Sequence, residues 1–273
     1  KYYESQFEEA TIELLRESHW QYTFGDDIHR KYTDPLIEED LRAFLAAQYK
    51  DKKLTASEVD GIVANLRNTS GQNDYYALQN TFLLYRDGYD FTYSDGRDNP
   101  FRLQYIDFEH PDHNIFRCVN QFVMEQGREN RRPDILLFVN GIPVCIVELK
   151  NPTKQNATIR DAHTQICTRY MRDIPALLKY CALAVISDGA KNKLGTTYTP
   201  FEFFYEWKKI DNEDKAGKGL DTLRTLVRGA FSPERILEIL RDYVYFPDPT
   251  KEDDTTEVVC RYPQFFATRK LRD

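Results

Sequence analysis

Two acids and an amine, Asp134, Glu148 and Lys150, stand at the outer ends of an otherwise apolar stretch, RPDILLFVNGIPVCIVELK from Arg132 to Lys150. Charges at the end of buried strands are costly unless they are paired or hold a metal. Two carboxylates facing one point offer hard oxygen donors to a cation such as Mg²⁺, at ligand distances of about 2.0–2.1 Å. A neighbouring amine can neutralise an anion or take up a proton. Side chains alternate along a strand, so Glu148 and Lys150 share a face while Leu149 points the other way. The Leu149 backbone carbonyl, between the two, is a further oxygen ligand.

The elements that must position these groups are the runs ILLFV and IPVCIV, flanking Asn140-Gly141, a strong hairpin signal. A two-residue turn pairs Val139 with Ile142 and sets Asp134 against Val147, on the wrong face for Glu148. A three-residue turn, with Gly141 left-handed, pairs Phe138 with Ile142 and sets Asp134 opposite Ile146. That places it diagonal to Glu148 on one face, with Cβ atoms about 7–8 Å apart. The spacing therefore predicts the three-residue turn or an equivalent strand irregularity.

Composition bounds the class. The chain of 273 residues is 41% hydrophobic, 30% charged and 14% aromatic, the mix of a globular chain with a well-filled core. No apolar run approaches the roughly 20 residues of a membrane span, and no secretory pattern opens the sequence. Five scattered cysteines without CxxC or CxxH spacing read as reduced core residues of a cytoplasmic protein. Net charge is −7, yet residues 128–193 carry eleven basic against six acidic residues, a basic face around an acidic site. No GxxxxGK[ST] is present, which excludes ATP hydrolysis by a P-loop in this chain.

In order, Glu4–Glu17 reads as an amphipathic helix whose glutamates face solvent, the sharper alternative being that Glu8 lies at the rim of the metal site. Helical patterns follow over Glu38–Tyr49, Ser57–Leu66 (Ser57 as N-cap) and Tyr75–Arg86. Tyr89–Tyr93, Leu103–Phe108 and Ile115–Met124 read as strands. His110 and His113, flanking Pro111-Asp112, read as solvated loop residues in preference to a two-histidine metal site. Thr158–Arg172 is helical, and CALAVIS, Cys181–Ser187, is a strand buried on both faces. Phe201–Ile210 reads as a strand, then Leu220–Gly229 and Pro233–Tyr243 as helices. The stretch Asp248–Thr256 is charged and linker-like, and Arg261–Leu271 begins a further helix. The layer order is α/β with a mixed central sheet flanked by helices, and additional helices at either end.

An Asp followed across a hairpin by Glu-x-Lys, here with Pro133 before the Asp, resembles the PD-(D/E)xK nuclease superfamily. The runs IDFEHPDHNIFRCVNQF and RPDILLFVNGIPVCIVELKNP, with FEEATIELLRESHW, RDIPALLKY and AVISDG, resemble the N-terminal nuclease region of the motor subunit of type I restriction enzymes. The resemblance implies a restriction-endonuclease-like fold over residues 1–247. It makes 248–273 a linker and the start of a helicase motor that this chain lacks. It implies metal-dependent, sequence-independent hydrolysis of double-stranded DNA, coupled to ATP-driven translocation, with separate specificity and methylation subunits as partners.

Asp134 and Glu148 are then the ligands of Mg²⁺, with Mn²⁺ a substitute. Lys150 either activates the attacking water or neutralises the scissile phosphate. Glu8 would be a donor to a second metal. Family members also carry Gln-x-x-x-Tyr on the following helix. Here Gln165 is followed by Tyr170, one residue further, and Arg169 holds the expected place. An α-helix sets i+5 about 140° from i, which makes Gln165 the doubtful member of the pair. Arg132, Lys154 and Arg169, with Arg131, Arg160 and Arg172, are candidates for phosphate contacts. RYPQFFATRK resembles the segment leading into the motor, where Gln264 would meet the adenine of ATP in the full-length protein. Two rival readings are a catalytically silent docking module with the nuclease fold and a free-standing repair-type nuclease.

Overall fold

The two apolar runs are strands at the middle of a seven-stranded sheet, and every residue of both is buried. The computed structural model describes residues 2–150, 158–211, 220–247 and 255–272. The sheet strands are β1 (Gln21–Phe24), β2 (Phe116–Asn120), β3 (Ile135–Val139), β4 (Ile142–Leu149), β5 (Leu183–Ser187), β6 (Asn192–Gly195) and β7 (Tyr205–Glu206). They lie side by side in chain order. β1–β2 and β4–β5 pair parallel and the other neighbours antiparallel, giving a mixed sheet. Each parallel pair needs a crossover, and each crossover is helical. Helices Glu38–Gln48, Ala56–Arg67 and Asp74–Asp87 lie between β1 and β2. One helical passage over 159–178 joins β4 to β5.

Alternation along β3 splits the core between two layers. Leu137 and Val139 face helices 2–17, 38–87 and 220–242, whereas Leu136, Phe138 and Ile146 face Ile159, Ile166, Tyr170 and Ile174 of the crossover. The final helix, Tyr262–Arg272, buries Phe265 and Phe266 beside Trp207. Among the described residues no helix is long and apolar enough to cross a membrane.

The hairpin turn differs from the expected one. Val139 pairs with Ile142, so Asn140 and Gly141 form a two-residue turn, both with positive φ (50° and 76°), the geometry of a type I′ turn. The irregularity lies instead within β4. Leu137 pairs with Cys145 but Phe138 with Pro143, leaving Val144 as the extra residue of a β-bulge. Pro143, which has no N–H for the ladder, is tolerated at such a bulge. The bulge moves the remaining register by one, so Ile135 meets Val147. Asp134, one step before, is thereby brought across from Glu148 rather than Ile146.

Other expectations also change. Ile115–Met124 is shorter than expected as a strand, and a small hairpin of Met124–Gln126 with Glu129–Arg131 follows it. Tyr89–Phe91 pairs with Phe101–Leu103 in a separate two-stranded sheet, and Phe108 lies outside it. Thr55, not Ser57, caps its helix, in a reciprocal capping box with Glu58. Phe201–Ile210 holds a 3₁₀ turn at Phe201–Phe203 and only two strand residues.

Candidate functional site

β3, β4 and the crossover helix each deliver part of one polar cluster at the end of the sheet. Asp134 Oδ2 accepts a hydrogen bond from the Leu149 amide at 2.7 Å, which fixes its carboxylate against the neighbouring strand. Glu148, 1% exposed, lies on the same face. The two carboxyls are close enough to act on each other: the charge of Asp134 raises Glu148, whereas Glu148 lowers Asp134. In extended backbone the N–H and C=O of one residue leave the strand on the same side. The Leu149 carbonyl therefore points toward Asp134, as a backbone ligand would require.

Lys150 Nζ donates to Glu148 Oε1 at 2.8 Å and to Gln165 Oε1 at 2.6 Å. Gln165 Nε2 in turn donates to the Tyr170 hydroxyl at 2.6 Å, and that hydroxyl donates to Glu148 Oε2 at 3.3 Å. The four side chains close a ring. Gln165 and Tyr170 can both join it because Gln165–Tyr170 is a π-helical turn. An i→i+5 turn brings residues five apart onto one face, where an α-helix would separate them. The wider spacing between Gln165 and Tyr170 is thus absorbed by the backbone, and Gln165 is not the misfit that an α-helical reading makes it. The turn is entered from a helix begun by the Thr158–Asp161 capping box.

Burial dominates the electrostatics of both carboxyls. Burial first, then the charge of Asp134, pushes the Glu148 carboxyl well up from its ordinary value, against the opposing pull of Lys150. Burial likewise raises Asp134, opposed by the Leu149 amide and Lys150 and reinforced by Glu8. Burial and the Glu148 charge raise the Tyr170 phenol, which keeps it a neutral donor.

Raised carboxyl values mean that the native state binds more protons than the unfolded one. Their stabilisation is complete below the unfolded range of about 4 and is lost as pH rises through the folded values. In metal-free buffer Tm should therefore fall as pH rises from the ordinary carboxylate range past neutrality. Any added Mg²⁺ should restore more Tm at high pH than at low, because binding displaces the proton. Thermal melts at several pH values, with and without Mg²⁺, measure this. A metal-free Tm that rises over that window would contradict it.

The remaining candidates divide. Glu8, half-buried on helix Tyr2–Glu17, accepts from Asn120 Nδ2 (2.6 Å) and from Gln121 Nε2 (3.0 Å), close enough for its charge to raise Asp134. Asn120 and Gln121 were not singled out by the sequence. Their one signal is a polar Asn-Gln pair closing an apolar strand. Gln121 adopts φ 55° and donates its amide to the Asp134 carbonyl at 3.2 Å.

Arg132 and Arg169 are exposed and have no ion pair among the described residues. Arg131 and Arg172 both bind the buried Asp173, and Arg160 lies over the Phe201 ring at 4.2 Å, so these three have partners within the fold. Lys154 lies outside the described residues. Gln264 is exposed, far along the chain in the last helix, and accepts from the Arg261 amide at 2.9 Å.

Residues 1–203 match the family described as type I restriction enzyme R protein N terminus. The chain is 29% identical to the type I restriction enzyme HindI endonuclease subunit of Haemophilus influenzae, over 99% of this chain and 26% of that protein. It is also 29% identical to the EcoprrI endonuclease subunit of Escherichia coli, over 67% of this chain and 56% of that protein. The chain thus spans about a quarter of the length of the relatives that it matches end to end. With the match covering most of its residues, the chain belongs to the family of N-terminal regions of type I restriction enzyme R proteins.

Proposed function

We propose that this region is a metal-dependent DNA endonuclease of the PD-(D/E)xK type, with Asp134, Glu148 and Lys150 as its catalytic residues. The observation that carries this reading is the convergence of one buried and one half-buried carboxyl with one amine, from two strands, at one end of the sheet. The donor set fits a hard divalent cation: two carboxylates in contact, a backbone carbonyl facing the same way, and no nitrogen ligand. Asp134, Glu148 and the Leu149 carbonyl would hold Mg²⁺ or Mn²⁺, and Glu8 would serve a second ion. When bound, the metal supplies a water of lowered pKa and a Lewis acid for the phosphate.

The chain's own residues do the rest. Lys150 is held between Glu148 and Gln165, aimed at the metal side of the cluster, where its charge meets the scissile phosphate or the attacking water. Tyr170 and Gln165 fix the rotamer of Lys150 through the ring of hydrogen bonds. Arg132, Arg169 and Lys154 would contact the phosphate backbone, which positions DNA without reading it.

In the full-length protein the segment 1–247 would be the nuclease and 248–273 the passage to an ATP-driven motor, with Gln264 at its nucleotide. Specificity and methylation subunits would choose the target, and the setting would be the cytoplasm. Nicking of supercoiled plasmid by this chain in Mg²⁺ or Mn²⁺ tests the activity. If no cutting occurs even with the motor and partner subunits restored, the reading fails.

Tyr170→Phe gives a finer test. It removes the hydroxyl shared by Gln165 and Glu148 while leaving the metal donors in place. Cleavage is expected to drop about tenfold, the equivalent of one hydrogen bond of about 1.4 kcal/mol, with Mg²⁺ affinity little changed. Single-turnover cleavage at saturating Mg²⁺ would measure it, and an unchanged rate would remove Tyr170 from the positioning role.

A further inference from the structure

At the opposite end of β2 from the nuclease cluster, we infer a second metal site of a different chemical class, formed by Asp107, His110 and His113. Phe116, the first residue of β2, pairs with Val139 beside the hairpin turn, whereas its last, Asn120, pairs with Ile135 beside Asp134. The three residues therefore lie near the turn and not near Glu148. Their ligand atoms are all within 4.8 Å of one another.

The geometry around one oxygen is what points to a cation. His113 Nδ1 lies 2.9 Å and His110 Nδ1 3.3 Å from Asp107 Oδ2, and Gln48 Nε2 is a third neighbour at 3.0 Å. Three nitrogen neighbours crowd an oxygen that has two lone pairs. Two donors on a tetrahedral ion with bonds of about 2.0–2.1 Å stand about 3.3 Å apart. The observed separations are close to that edge.

The imidazoles are stacked, with centroids 4.7 Å apart and planes inclined by 24°, and both present the same nitrogen to the same carboxylate. Asp107 is fixed for the purpose: its Oδ1 accepts from the Glu109 and His110 amides, and its side chain is 7% exposed. The rings are 63% and 48% exposed, so an ion and completing waters have access.

Two imidazoles and one carboxylate suit Zn²⁺, Co²⁺ or Ni²⁺, whereas the all-oxygen set at Asp134 and Glu148 suits Mg²⁺. Binding needs each neutral imidazole to carry its proton on Nε2, leaving Nδ1 to the metal. The placement makes the ion a brace. Asn114, beside His113, donates to the Asp107 carbonyl and accepts from the turn residue Asn140. Gln48 ties the loop to helix Glu38–Gln48, and Glu109 binds Arg241 of helix Pro233–Asp242. A metal there would lock the loop, the hairpin turn and two helices together. None of this depends on the nuclease reading.

The test is titration of the tag-free chain with Zn²⁺ alone, followed by calorimetry and melting, and with Co²⁺ followed by its visible d–d absorption. One ion per chain with a Kd of roughly micromolar, and a raised Tm, are expected. A His110→Ala/His113→Ala variant should bind at least about tenfold more weakly and lose the Co²⁺ spectrum and the Tm increase. His113→Gln, which keeps a donor to Asp107, guards against a loss caused by misfolding. It should melt like the parent without metal yet lose the Zn²⁺-dependent increase. Glu148→Gln should leave the Co²⁺ spectrum intact. No saturable binding up to roughly 100 µM Zn²⁺ would overturn the site. So would equal binding by the double histidine variant, or binding lost in Glu148→Gln instead.

Discussion

Glu148→Gln is expected to cut Mg²⁺-dependent plasmid nicking by roughly 10³-fold, the scale of about 4 kcal/mol of transition-state stabilisation. The substitution keeps shape and hydrogen-bonding capacity but removes a formal charge from a position that is 1% exposed. The remaining carboxylate, Asp134, is already committed through Oδ2 to the Leu149 amide. One oxygen and a carbonyl are then left to bind a doubly charged ion, and affinity falls with activity.

The fold should be spared. Ionised Glu148 is opposed in the metal-free protein by burial and by Asp134, and a glutamine Oε1 can still accept from Lys150. Tm without metal should stay within a few degrees of the parent. Lys150→Ala separates the roles. It should reduce cleavage comparably while leaving Mg²⁺ binding nearly intact, because the amine is not a ligand. Isothermal titration with Mg²⁺ beside the nicking assay reads the difference. Parent-like cutting by Glu148→Gln would remove the carboxyl pair from catalysis.

Gly141→Ala, in the turn at the far end of the hairpin from the site, should cost about 3 kcal/mol or more of stability. Gly141 has φ 76°, where a Cβ is strained, and an added Cβ would lie 2.1 Å from the Ile37 carbonyl oxygen. The neighbour cannot retreat cheaply. Ile37 donates its own amide to the Gly141 carbonyl at 2.9 Å and receives the Leu41 amide at 3.2 Å, at the start of helix Glu38–Gln48. Asn140 is equally fixed, fully buried and bonded to Ile115, Tyr105 and Asn114. Movement at the turn would propagate along β3 and β4 toward Asp134 and Glu148. Denaturant melts measure the loss. A Gly61→Ala control, where nothing lies within 4 Å of the added Cβ, should be neutral or slightly stabilising.

What the residue pattern disclosed, and what it concealed, follows from how much each side chain advertises its surroundings. The strands through Ile135–Val139, Ile142–Leu149 and Leu183–Ser187 are continuous apolar runs because they are covered on both faces, and such runs are visible in a sequence. The same uniformity hid the bulge. All eight residues of β4 are buried, so Val144 and Cys145 break no alternation, and the pattern alone leaves open whether the expected irregularity sits in the turn or in the strand. Asp134, Glu148 and Lys150 were legible as charges where none should be. Asn120 and Gln121, which hold Glu8, were not, since uncharged amides at a strand end are ordinary. Phe201–Ile210 looked like a strand by aromatic content. Yet Phe204 serves to fill the space over Gly195, which has no side chain of its own.

A π turn is what a helix becomes when it takes in one supernumerary residue without twisting the chain on either side. Everything after Tyr170 keeps its phase, which is why Asp173 still reaches Arg131 and Ile174 still enters the core. In this chain, then, the extra position between the amide and the phenol costs them no contact. A search built on a rigid interval would pass over the bonded pair.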